Sequence, residues 1–227
     1  MTRARKQGPS NEPQGQAGGD DRYLVVAGRA SAELREQGSR FRAECMPVEN
    51  EPEARARVAA IAARFHDATH HCSGLRLGHG DQALRRAQDA GEPAGTAGGP
   101  ILQAIEGRDL TDTLVVVTRW FGGVKLGTAG LVRCYGAAAA AALDAAGASE
   151  RFREAEVALR IAHADLAAAQ RAIFGLGGRL AAEAYGAEAA LTAVVRRSRV
   201  ERLRTALVQA TSGRVRFDPA AEEEQRR

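Results

Sequence analysis

Cysteine is scarce in this chain. Cys45, Cys72 and Cys134 are the only three in 227 residues. Odd in number and far apart, they exclude a disulfide scaffold and lead us to expect a reduced, cytoplasmic protein. Seven prolines exclude a collagen-like chain. No run approaches about 18 consecutive apolar residues, so no membrane-spanning helix is expected. The opening MTRARKQGPSNEPQGQAGGDD starts with basic residues but lacks the apolar stretch of a secretory signal. Lysine is nearly missing: Lys6 and Lys125 stand against 30 arginines.

What is present is apolar enough to build a core, at 44 % hydrophobic residues, so global disorder is excluded. Alanine is about one residue in five. Abundant alanine and arginine together point to a GC-rich genome, which weakens arginine content as a sign of nucleic-acid binding. The same bias makes Lys125 conspicuous, as the one lysine expected in the folded body.

Along the chain, residues 1–20 and 219–227 read as disordered tails. Strands are expected at residues 23–27 and 40–48, then a helix at 51–65, where Ala54, Val58, Ile61 and Phe65 share one face. Two further strands, 71–77 and 83–88, precede a glycine-rich loop at 91–100 and a short helix at 101–105 with Pro100 at its first position. LVVVT at 114–118 has the composition of a central strand covered on both faces. RWFGGVKLGTAG follows, then a helix at 131–146 closed by Gly147. After about residue 154 the order becomes βαββαβ, the ferredoxin-like plan. The expected organisation is thus α+β, with domains at 21–150 and 151–218.

Residues 21–154 carry 17 basic and 17 acidic side chains, whereas residues 155–218 carry 10 and 6. The excess gathers at Arg196, Arg197, Arg199, Arg202 and Arg204. With Val200, Leu203 and Leu207 facing the core, those arginines form a candidate phosphate-backbone surface or simply a solvated face.

The chemistry concentrates in the two glycine loops. In GEPAGTAGGP, glycine permits close backbone approach and positive φ, the following helix start offers N–H groups to an anion, and Glu92 is the one carboxylate. In RWFGGVKLGTAG, Arg119 and Lys125 flank Gly122 and Gly123, and Arg133 lies just beyond. Glu92, Gly95, Thr96, Arg119, Gly122, Gly123, Lys125 and Arg133 are therefore candidate anion-binding residues. The bland alternative is a pair of tight turns with Glu92 paired to an arginine. Neither loop matches a Walker A or dinucleotide pattern, and no cofactor fingerprint is present. His70, His71 and Cys72 are adjacent, so strand alternation keeps them from converging on a metal. Cys134, expected at a helix start, is placed where a thiol pKa falls. No base stands beside it in sequence, and no catalytic residue is assigned.

GEPAGTAGGPIL followed by VVVTRWFGGVKLGTAGLVRCYG resembles the IMPACT family in its bacterial YigZ branch, with SRFRAECMPV at 39–48 and DATHHC at 67–72 in support. The resemblance covers about residues 22–146. It implies a first domain like the second domain of a small-subunit ribosomal protein, and a second domain like the last domain of elongation factor G. It also implies a setting near translation, which eukaryotic relatives regulate by competing for a scaffold protein. The chain departs from the family pattern at Ala90, Gly99 and Trp120, where an acidic residue, an arginine and a tyrosine are usual. The resulting expectation is a non-enzymatic binding protein contacting RNA, the ribosome or a protein scaffold. The alternative is an enzyme or binding protein for a small phosphorylated or anionic ligand, with Glu92 as acid or base.

Overall fold

The computed structural model describes residues 21–218; the tails expected at 1–20 and 219–227 lie outside them. The described chain divides into two compact units, Arg22–Phe152 and Arg153 onward together with Asp21. The architecture is mixed α+β. None of the described helices is long and apolar enough to cross a membrane.

In the first unit, β2 (Ala30–Glu36), β3 (Ser39–Pro47), β4 (His70–Leu77), β5 (Leu84–Gln88) and β6 (Thr113–Trp120) form one sheet in the order β2-β3-β6-β4-β5. All four pairings are antiparallel. The β-branched run makes β6 the middle strand, and its alternation separates two cores. Val115 and Val117 join Phe41, Cys72, Ile101 and Tyr135 on one side. Leu114 and Val116 join Met46, Ile61 and Leu75 on the other. The first core is closed by α2 (Gly98–Glu106) and α3 (Gly127–Ala146), the second by α1 (Glu51–Arg64). Helix α1 starts where Asn50 accepts the Glu53 amide at 2.9 Å, with Glu51 and Glu53 in its first turn.

Two elements had no counterpart in the sequence reading. Strand β2, ASAELRE, lacks the β-branched residues that mark a strand; it forms because Gln37 and Gly38, both at positive φ, make a two-residue turn onto β3. Strand β7 (Ala148–Phe152) pairs with β1 (Arg22–Val26) in a separate ribbon. Helices α2 and α3 also begin earlier than expected, at Gly98 and Gly127, so Pro100 is the third residue of its helix rather than the first.

The second unit contains β8 (Glu154–Ile161), α4 (Leu166–Gly175), β9 (Arg179–Tyr185), β10 (Ala189–Arg196), α5 (Val200–Ala210) and β11 (Arg216–Phe217). Its sheet order, β11-β8-β10-β9, is that of a ferredoxin-like βαββαβ fold. Val157, Leu159, Leu191 and Val195 meet Ile173, Leu203 and Leu207 in its core.

Candidate functional site

Strand β6 ends at Trp120, and the second glycine loop turns the chain from there into α3. The turn is possible because two glycines cross. A Cβ on Gly122 would lie 1.9 Å from the carbonyl carbon of Gly38 at the β2–β3 hairpin tip. The crossing is held by Ser39, whose Oγ accepts the Gly122 amide at 3.1 Å and Arg119 Nη2 at 3.3 Å.

The first loop is organised by a residue that the sequence reading did not single out. The Asp89 carboxylate accepts the amides of Gly95 (2.8 Å), Ala97 (2.9 Å) and Gly98 (2.9 Å). It thus caps α2 from outside the helix. Burial works against its ionisation, but the three amides outweigh burial and hold Asp89 below the usual carboxylate range. The anion expected at this helix start is therefore supplied by the chain itself, which corrects the reading of those N–H groups as open to a ligand. Thr96 is likewise committed: it is buried, and its hydroxyl donates to the Pro93 carbonyl at 2.7 Å.

Glu92 turns inward from the same loop. Its side chain is 4 % exposed and that of Arg119 is 5 % exposed. Glu92 Oε1 accepts Arg119 Nη1 at 2.6 Å and the Tyr135 hydroxyl at 2.7 Å. His70 Nε2 stands 3.9 Å from the same oxygen. Burial, followed by the neighbouring Cys72 and Glu92, pushes the Tyr135 phenol up, so Tyr135 remains a proton donor. Arg119 also packs its guanidinium 5.3 Å from the Phe41 ring centre and 5.6 Å from that of Phe121. The carboxylate and its arginine form a closed pair inside the unit.

A concavity of about 250 Å³ opens beside that pair. Glu92 and Pro93 reach it from the first loop, Arg119, Phe121 and Lys125 from the second, and Gly127, Thr128 and Leu131 from α3. The two loops therefore meet. Phe121 and Val124 are 47 % and 49 % exposed beside Lys125. Arg133 lies apart, on the solvent face of α3 with its Nη2 3.0 Å from Glu36. Of the eight candidates, Glu92, Arg119 and Lys125 line the concavity, whereas Gly95, Thr96, Gly122, Gly123 and Arg133 do not. Gly95 has given its amide to Asp89, and Gly122 serves the crossing. Tyr135 and Ser39, absent from the candidates, complete the network; both lie within the stretches that carry the family resemblance.

The histidines and thiols take structural roles. His70 Nδ1 meets the Ala90 carbonyl at 2.9 Å and His71 Nδ1 meets Thr118 Oγ1 at 3.2 Å. Cys72 donates to the Asp89 carbonyl at 2.9 Å, and burial pushes its thiol up to about 12. Cys134 differs from expectation. It sits well inside α3 rather than at its start, and burial raises its thiol instead of lowering it. Among the described residues no group of three or more His, Cys, Asp or Glu side chains is arranged to hold a metal.

In the second unit, Arg199 donates to the Leu176 carbonyl at 2.7 Å, and Arg204 lies 4.7 Å from the Phe217 ring centre with Glu201 3.9 Å away. Arg196 is half-buried at the end of β10. Arg197 and Arg202 are exposed.

The model of the Impact N-terminal domain matches residues 37–143, and that of a domain of unknown function, DUF1949, matches residues 159–214. The IMPACT family member YvyE of Bacillus subtilis is 40 % identical over 129 residues, 57 % of this chain and 59 % of that protein. The IMPACT family member YigZ of Escherichia coli is 36 % identical over 115 residues, covering 50 % and 56 %. These matches thus span little more than half the length of the relatives. A crystal structure described only as that of a hypothetical protein aligns over 87 % of this chain and 96 % of its own, with a TM-score of 0.64 and 25 % identity. Both family models in this order, together with these relatives, show that the chain belongs to the IMPACT family.

Proposed function

We propose that this protein is a non-enzymatic binding protein that acts near translation by contacting RNA or the ribosome. The observation that carries the reading is the contrast in the second loop. Arg119 and Glu92 neutralise each other inside, whereas Lys125 is exposed in the same loop as exposed Phe121 and Val124. A catalytic carboxylate has to be released to move a proton, and Glu92 is bound by both Arg119 and Tyr135. The raised thiols of Cys45, Cys72 and Cys134 do not favour nucleophilic chemistry. The positive balance of residues 155–218, with Arg197 and Arg202 turned to solvent, supports a second phosphate-contacting surface. The regulatory role implied by the family resemblance supports the setting.

Purified ribosomes sedimented with the protein test this. We expect co-sedimentation that falls steeply with salt and is reduced by Lys125→Glu. No association at low salt overturns the reading. Partners retained after RNase and lost with Lys125→Glu would replace RNA by a protein scaffold. A second reading, a small anionic ligand, is favoured by the concavity beside Glu92.

A further inference from the structure

We propose that the open edge of β2 is a docking surface for a second copy of this chain, paired antiparallel to itself about a two-fold axis at Leu34. It stands apart from the RNA reading above and does not depend on it.

Strand β2 ends the five-stranded sheet and pairs only with β3. The two-residue turn at Gln37 and Gly38 decides which of its backbone groups are spent. The residues flanking such a turn, Glu36 and Ser39, form a hydrogen-bonded pair, and bonded pairs alternate along an antiparallel ladder. Leu34 with Phe41 and Ala32 with Ala43 are therefore the next bonded pairs. The amides and carbonyls of Ser31, Glu33 and Arg35 point to the open edge, and among the described residues no backbone group bonds to them there. Such a row is a template for another strand.

The side chains select which strand. Glu33 is bound by Arg42 at 3.0 Å on the sheet face away from α3. Arg35, on the same face, lies opposite Arg40, whose guanidinium sits 3.7 Å from the Trp120 ring centre. Like charges directly opposite each other weaken a strand pair, and no carboxylate among the described residues pairs with Arg35. A second copy laid antiparallel on the edge, with Leu34 on the axis, supplies one. Glu33 then faces Arg35 of the second copy, and Arg35 faces Glu33 of the second copy. Both pairs fall where the backbone groups point outward, so charge and main-chain bonds agree in register. Moving the axis to Glu33 or to Arg35 sets each of those residues against itself.

The other face agrees. Ala30, Ala32 and Leu34 are only partly covered by the core they pack on. In this register the two copies of Leu34 meet as a non-bonded pair, the kind with closer Cα atoms, and cover the rim of that core. Arg133, Ala137 and Ala141 are exposed at successive turns of α3, and Arg133 reaches Glu36 of β2. The small side chains along that border leave room for the second copy. The same patch on both subunits makes the contact isologous, so it closes as a dimer rather than growing into a fibre.

Sedimentation velocity on the full chain at low salt, up to about 100 µM, tests this. We expect a reversible species of twice the 24.0 kDa of one chain. Arg35→Glu should weaken dimerisation by about tenfold, because two attractive cross-strand pairs become repulsive. Its melting temperature measured as a dilute monomer should not fall, since the clash with Arg40 is removed. Adding Glu33→Arg to Arg35→Glu reverses both charges and should restore the dimer. Leu34→Cys should cross-link two chains on mild oxidation, whereas Ala32→Cys, offset from its own copy in this register, should not. The native cysteines are buried and do not compete. A chain that stays monomeric throughout overturns the second copy as occupant and leaves the edge to a strand of another protein. A dimer that ignores Arg35→Glu and gives no Leu34→Cys cross-link overturns the edge as its interface.

Discussion

Arg119 Nη1 lies 2.6 Å from Glu92 Oε1, and neither side chain is more than 5 % exposed. The pair ties the first glycine loop to the end of the central strand, and Tyr135 fastens both to α3. Removing one partner leaves the other as a buried, uncompensated charge. Glu92→Ala should therefore cost about 3–5 kcal/mol in chemical denaturation. Replacing both at once, Glu92→Leu with Arg119→Met, should cost far less. A single-variant loss below about 1 kcal/mol would mean the pair is solvated rather than buried.

Asp89 has a distinct acid signature. Its folded-state pKa is depressed, so the stability it contributes is complete above its unfolded value of about 3.9 and is lost as pH falls through the lower folded value. Asp89→Asn should destabilise the protein by about 1–2 kcal/mol at pH 7. The variant should also show a shallower loss of stability below about pH 4. Parallel acid profiles for wild type and variant would show that the three amides do not hold a carboxylate in solution.

Gly122 and Gly123 are adjacent but constrained differently. A Cβ on Gly122 meets Gly38 and Ser39 backbone at 1.9–2.2 Å, whereas Gly123 has open space and a φ of +88°. Gly123→Ala should cost only left-handed strain, about 1–2 kcal/mol. Gly122→Ala must push two backbones apart and should cost clearly more, at or beyond the roughly 1–3 kcal/mol of ordinary overpacking. Thermal melts of the two variants give the order directly, and a reversed order would refute the crossing.

The Cys72 thiol should be inert in the folded protein. With its pKa pushed up to about 12, the thiolate at pH 8 is on the order of one part in ten thousand. Mass spectrometry after brief alkylation should find Cys72 unmodified until denaturant is added. Rapid native labelling would show that its bond to the Asp89 carbonyl opens readily.

Much of this was legible in the chain. The β-branched run placed β6 at the centre, the spacing of Ala54, Val58, Ile61 and Phe65 gave α1, and the order of elements after residue 154 gave the ferredoxin-like sheet. The glycine loops marked the two segments that line the concavity, because dense glycine excludes regular structure. The role of Asp89 was not legible: it depends on loop closure that brings amides six to nine residues later onto one carboxylate. The start of α3 was hidden because Gly127, Thr128 and Gly130 are poor helix formers whose conformation is set by the packing around them. Arg133 was grouped with Lys125 by sequence proximity, yet the helical turn between them points it toward Glu36.

The ribbon of β1 and β7 sets Arg22 opposite Phe152. Antiparallel partners lie about 5 Å apart, so the first unit is entered and left at nearly one point. A segment with its ends together behaves as a cassette. Stitching residues 22 and 152 with a short linker and cutting elsewhere, at the exposed Gly80 for example, should yield a permuted chain with the same sheet. The loop cluster could likewise be carried whole into a surface turn of an unrelated host.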